Sequence, residues 1–107
     1  MMVAAALVAI GGAAAPSAGA DTITEMVENT FAEESPFWSY LYDNGYGYLD
    51  AKSVSNDGKI ACVNRKAGVP PYQVTDLLVA RGYTPVEAGG IITAEQAASE
   101  SRAHPVC

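Results

Sequence analysis

From residue 21 onward the apolar positions recur at helical rather than strand spacing. Over residues 22–34 (TITEMVENTFAEE), Ile23, Met26, Val27, Thr30 and Phe31 fall on one face. Thr22 and Glu25 have the spacing of a capping box, so a first helix is predicted there. With Asp21 this stretch carries five acidic residues, which also suits a loosely held arm. Ser35-Pro36 opens a second helix over 36–44, with Pro36 in the first turn and Gly45 as a left-handed stop. Phe37, Tyr40 and Leu41 share its face, and Trp38 and Tyr42 lie at the flanks. The stretch 45–50 (GYGYLD) reads as a loop, because its alternating glycines discourage both helix and strand.

The third helix is harder to start. Ser53 or Ser55 can cap it, and Asn56-Asp57-Gly58 weakens its first turn enough to move the start toward Asp57. It runs to about Ala67, with Val54, Ile60, Ala61 and Val63 on the apolar face, Cys62 beside them, and Gly68 as the stop. Pro70-Pro71 opens a fourth helix (PYQVTDLLVAR) whose face holds Val74, Leu77, Leu78 and Arg81, closed by Gly82. Thr84-Pro85-x-Glu87 is a clear helix start. The last helix is predicted to reach about Ala103, with Ala88, Ile91, Ile92, Glu95 and Ala98 on one face. Gly89-Gly90 weakens it internally, Thr93-x-x-Gln96 offers a restart, and Pro105 ends it. The expected architecture is all-α: a small bundle of four or five short helices with short loops.

Residues 1–20 break this pattern. They hold 15 apolar residues and no charge, whereas all eighteen charged side chains of the 107-residue chain come later. The apolar run 3–15 is shorter than the roughly 20 residues that cross a bilayer, but it suits the core of a signal peptide. Pro16 breaks it, and Ala18-Gly19-Ala20 gives the small-x-small pattern that signal peptidase accepts, placing cleavage before Asp21. The basic residue that usually opens such a segment is missing, which points either to a start upstream of Met1 or to inefficient export. The bland alternative is a buried Ala-rich helix that stays in the protein. The expected organisation is therefore a signal peptide at 1–20, an acidic helix or arm at 21–35, and a helical domain at 36–107. No cysteine stands near residue 20 to carry a lipid anchor, and no later apolar stretch reaches spanning length. The expected location is secreted, extracellular or associated with the cell envelope.

Removing residues 1–20 changes the composition. The remaining 87 residues hold 38 apolar side chains, of which Leu, Ile, Val and Phe supply 18. That is a thin core, and small domains of this kind usually need a staple. Cys62 and Cys107 are the only cysteines, and in an exported chain such a pair reads as a disulfide closing a loop of 46 residues counting both ends. The competing readings are a lone reactive thiol and a metal pair. A zinc site wants three or four ligands at short spacing, and His104 is the single histidine, so no metal or other cofactor is expected. The formal net charge of −6 argues against nucleic acid as a partner, because phosphate contacts need clustered positive charge.

Several features are similar to a known family. Gly58-Lys59-Ile60-Ala61-Cys62, Ala67-Gly68-Val69-Pro70, Gln73-Val74-x-x-Leu77-Leu78-x-x-Arg81-Gly82, the threonine-initiated helix over 84–92 with Ala88 inside it, and Cys107 occur in its order and spacing. Trp38-x-x-Leu41-x-x-x-Gly45 fits its short first helix. On these residues the chain resembles the domain of unknown function 732 family of small secreted actinobacterial, mostly mycobacterial, proteins. It departs from the family in its polar tail SESRAHPVC, where relatives tend to be alanine-rich. The resemblance implies a helical fold, a disulfide of this type and secretion, and it carries no activity.

The catalytic inventory is thin, and no enzyme is predicted. His104 sits between Ala103 and Pro105 with no nucleophile or carboxylate fixed beside it. Asn56-Asp57-Gly58 supplies part of a calcium loop without the later carboxylate that such a loop needs. The acidic residues of 21–34 read as a solvated face. The compositional oddity is aromatic: Phe31, Phe37, Trp38, Tyr40, Tyr42, Tyr46 and Tyr48 place seven of the nine aromatic residues within eighteen positions. Rings with a polar tip suit recognition of protein, glycan or lipid, so Trp38, Tyr42, Tyr46 and Tyr48 form the candidate binding surface. The bland reading is that they wrap the small core. The functional expectation is a secreted, non-catalytic interaction module of the cell envelope or host interface, with a partner among the proteins, glycans or lipids found there. The alternative is a small-ligand or lipid carrier with an apolar cavity between the helices.

Overall fold

A computed structural model describes residues 21–30, 35–101 and 106–107. Among these residues the fold is all-α, with five helices: α1 (Ile23–Thr30), α2 (Pro36–Asp43), α3 (Ala51–Lys66), α4 (Pro71–Ala80) and α5 (Pro85–Ser99). The candidate signal segment at 1–20 lies outside the described residues, as do Phe31 and His104. No described helix is long and apolar enough to cross a membrane.

Local chemistry explains most of the helix starts. In α1, Thr22 Oγ1 accepts the Glu25 amide at 3.1 Å while Glu25 Oε1 accepts the Thr22 amide at 2.9 Å. These bonds satisfy donors that a helix start otherwise leaves to water. The same reciprocal pair opens α5 between Thr84 and Glu87. At the end of α2, Gly45 adopts φ +88°, the left-handed conformation that side chains with a Cβ resist.

The start of α3 differs from the sequence reading. Its N-cap is Asp50, whose Oδ2 accepts the Ser53 amide at 2.8 Å, so Ser53 and Ser55 lie inside the helix. The loop just before α3 is held from outside. Ile23 N donates to Leu49 O, Thr24 N to Gly47 O and Ala51 N to Asp21 O, each at 2.9 Å. These bonds pair the segment around Thr22 with the segment around Asp50 and fix where α3 begins. Asn56-Asp57-Gly58 therefore sits in the middle of a helix rather than at a weak start. Gly58 is there for space: a Cβ on it would lie 2.6 Å from Phe37 Cζ, so the ring of α2 packs directly on the α3 backbone.

α5 is the central element, packing against α2, α3 and α4, while α1 rests on α2. The face Ala88, Ile91, Ile92, Glu95 and Ala98 is buried as expected, and α5 runs unbroken through Gly89-Gly90. It stops at Ser99 rather than near Ala103, which lies outside the described residues. The core adds Ile23, Val27, Phe37, Leu41, Val54, Ala61, Val74 and Leu78 from the other helices. Leu49, in the loop, and Tyr83, between α4 and α5, are buried as well.

Two predicted core positions are displaced. Val63 is exposed, because at 100° per residue it stands about 180° around α3 from Val54. Leu77 is also exposed, at the edge of the stripe made by Val74 and Leu78. Cys62 and Cys107 are at bonding distance, with their Cα atoms 6.0 Å apart. Cys107 is thereby fastened to the C-terminal part of α3, where Lys66 Nζ also donates to the Cys107 carbonyl at 2.9 Å and Val106 packs on the core.

Candidate functional site

The four aromatic residues singled out by sequence separate into two pairs. Trp38 and Tyr46 are half-buried and pack against the core. Trp38 makes an edge contact with Phe37, ring centres 4.8 Å apart. Adjacent helical residues diverge by 100°, so only Phe37 goes fully inside. Tyr46 lies over α5, where its ring approaches the Gly90 backbone so closely that a Cβ there would be 2.6 Å from Tyr46 Cζ. Its hydroxyl donates to Val86 O at 3.3 Å.

Tyr48 and Tyr42 are displayed, 50% and 37% exposed. Neither ring is loose. The Tyr48 hydroxyl donates to Glu87 Oε2. Glu87 is itself buried, and its other oxygen closes the capping box of α5. Partial burial and the adjacent carboxylate push the Tyr48 phenol up to about 12. The Tyr42 hydroxyl donates to Glu28 Oε2 at 3.2 Å, tying α2 to α1. Gly47, between the two loop tyrosines, is buried against Thr24 of α1. Tyr46, Tyr48 and the exposed Val86 thus form one surface at the start of α5, and Tyr42 stands on the α1–α2 face.

The buried carboxylates of Asp57 and Glu95 are committed to the fold. Asp57, 2% exposed, accepts from Arg81 Nε and from the Tyr83 hydroxyl, the latter at 2.7 Å. Burial, then the Asp57 bond, raises the Tyr83 phenol well above its ordinary range. Glu95, 1% exposed, takes a two-pronged bond from Arg65: Nε to Oε1 at 2.9 Å and Nη2 to Oε2 at 2.8 Å. The bond to Glu95 holds the Arg65 guanidinium above its usual value. These two pairs tie α3 to the α4–α5 turn and to α5.

Sequence reasoning placed Glu95 on the apolar face without a partner and put Asp57 in the weak first turn of the third helix. The signal available for Glu95 was a charge at a core position of an otherwise apolar stripe, which demands a cation nearby. Nothing in the sequence marked Arg65 as that cation, thirty residues earlier. Among the described residues no group of three or more His, Cys, Asp or Glu side chains converges as a metal site would require. Comparison of the chain with protein-family models, with curated proteins and with solved structures finds no match.

Proposed function

We propose that the chain is a secreted, non-catalytic interaction module of the cell envelope or host interface, in keeping with its resemblance to the domain of unknown function 732 family. Tyr48 and Tyr42 are its contact rings, while Trp38 and Tyr46 pack against the core. The observation that carries the reading is an exposed tyrosine anchored to a buried carboxylate, Tyr48 on Glu87. A tyrosine offers a large amphipathic contact area, and a ring already fixed by its hydroxyl loses little freedom on binding.

The test is a comparison of the oxidised chain with its Tyr42→Ser/Tyr48→Ser variant, both immobilised at equal density against envelope extract and against host-surface ligands. Matching far-UV circular dichroism and thermal midpoints establish that the variant keeps the fold. Loss of a saturable ligand in the variant supports the reading. Equal capture by both proteins overturns it.

A further inference from the structure

We propose that cleavage of the Ala20–Asp21 bond locks the fold, because the α-ammonium it creates on Asp21 pairs with the buried carboxylate of Asp50 at the start of α3; this rests on the export reading and gives removal of residues 1–20 a structural consequence. The observation behind it is an orphaned oxygen. Asp50 is 9% exposed, and its Oδ2 accepts the Ser53 amide, while Oδ1 is buried with no hydrogen-bond partner among the described residues. A buried carboxylate oxygen is costly to leave without a donor, and a cation satisfies it best. The chain brings a nitrogen to this place. Thr22 stands opposite Asp50 in an antiparallel bridge, and Asp21 O accepts the Ala51 amide at 2.9 Å. Residues opposite one another in such a bridge have Cα atoms about 4.5–5.5 Å apart, and one residue of extended chain adds roughly 3.3 Å. The nitrogen of Asp21 is thus held near the Asp50 carboxylate, and Asp21 is itself exposed, so a cleaved end has room to turn toward it.

In the uncleaved chain that nitrogen is an uncharged amide. Hydrolysis adds the hydroxyl of water to the Ala20 carbonyl and a proton to the Asp21 nitrogen. The new acid then gives its proton, through solvent, to the amine, leaving a carboxylate and an α-ammonium, the forms both groups hold at neutral pH. The groups of the fold near Asp50 supply no substitute. Asp50 and Asp57 both raise the Tyr83 phenol, and Arg81, the cation beside them, is bonded to Asp57. Lys52, next along α3, is exposed, and on the α1 side Glu25 accepts the Thr22 amide. An α-ammonium on Asp21 therefore meets two carboxylates, Glu25 at the surface and the orphaned oxygen of Asp50 inside. The buried one holds it more tightly, since a charge pair gains strength where water is excluded. The precursor keeps an unsatisfied cap on α3 and unfolds more readily, which suits a chain that is still to be exported.

The experiment uses the oxidised chain that begins at Asp21, which contains every described residue of the fold. Its α-amine is titrated from pH 6 to 10 through the carbon shifts of isotope-labelled Asp21. The expected midpoint lies one unit or more above the ordinary value of about 8, a tenfold gain in proton affinity. Asp50→Asn, which keeps a good N-cap, should return it to the ordinary value, whereas Glu25→Gln should leave it raised. N-terminal acetylation should lower the thermal midpoint of the parent at pH 7 by several degrees, toward that of the 1–107 chain, and should leave Asp50→Asn nearly unchanged. A raised amine pKa means that this stability is complete below pH ~8 and is lost as pH rises through the folded-state value. An α-amine that titrates near 8 in parent and Asp50→Asn alike, as it would if Oδ1 were satisfied by an ordered water only, overturns the proposal, and so does equal sensitivity of both to acetylation. Expression of residues 1–107 in an actinobacterial host separates the two readings. Recovery from the medium with Asp21 first and an ordinary amine leaves export standing and removes the ion pair; retention in the cells with residues 1–20 attached removes the export reading itself.

Discussion

Adjacent glycines on α5 offer a controlled test of how this core is packed. In an exposed helix interior, Gly→Ala stabilises by about 0.5–1 kcal/mol because it lowers the entropy of the unfolded chain. Gly89 is half-buried but leaves open space, since a Cβ there would have no neighbour within 4 Å, so the same gain applies. Gly90 does not, since its Cβ would lie 2.6 Å from Tyr46 Cζ and 2.7 Å from Tyr46 Cε2. Overpacking of this kind costs roughly 1–3 kcal/mol. Accommodation would require Tyr46 to swing away, giving up its bond to Val86 O and its cover over the core. Gly89→Ala is therefore expected to gain up to about 1 kcal/mol and Gly90→Ala to lose about 0.5–2 kcal/mol, net of the same helix gain. At about 4–8 °C per kcal/mol for a chain of this size, the two variants should melt several degrees to either side of the parent. The assay is thermal unfolding of the oxidised protein by circular dichroism, with urea midpoints as a second measure. In a Tyr46→Ala background the clash is gone, and Gly90→Ala should become stabilising. Equal melting temperatures for the two single variants would refute the packing argument, and so would an unchanged effect of Gly90→Ala in the Tyr46→Ala background.

Arg65→Met leaves Glu95 buried without its cation and should destabilise by about 2–3 kcal/mol, below the full cost of breaking a buried pair because Arg65 is partly exposed; urea denaturation measures it. Separating the cysteines, as in Cys62→Ala/Cys107→Ala, should cost about 4 kcal/mol on the chain-entropy model, read from the same denaturation curves. Tyr48 and Tyr83 both have raised pKa values, so the folded state holds their protons more tightly than the unfolded chain does. Their contribution is complete below pH ~10 and is lost as pH rises through the folded-state values, so stability should fall above pH ~10. Absorbance at 295 nm should show a tyrosinate step near pH 12 that Tyr48→Phe removes, with Tyr83→Phe blunting the alkaline loss of stability.

The helical class, the capping boxes at Thr22 and Thr84, the left-handed stop at Gly45 and the buried stripe of α5 were all legible in the sequence. Each depends on residues within one or two turns of one another. The start of α3 was not, because it is set by hydrogen bonds from residues 21–24, about thirty positions earlier. Local propensity put the cap at a serine, whereas Asp50 performs it. Gly58 looked like a weak point and proves to be a contact site for Phe37, which only the approach of α2 to α3 reveals. The candidate binding surface was legible as a cluster but not as an arrangement. Exposure depends on which ring meets a neighbouring helix, and that divided Trp38 and Tyr46 from Tyr42 and Tyr48.

The sequence alone determined periodicity, the caps of α1 and α5 and the presence of a single cysteine pair, since these are properties of residues and their spacing. The tertiary structure decided which cation each buried acid meets: Arg65 for Glu95 and Arg81 for Asp57. It also decided which glycines give way to rings and which tyrosines stay outside. The ion pairs and the glycine–ring contacts join residues 21 to 44 positions apart. Such contacts exist only after the helices have packed, when the cost of an unpaired buried charge or a colliding Cβ selects one arrangement from the many that the local pattern permits.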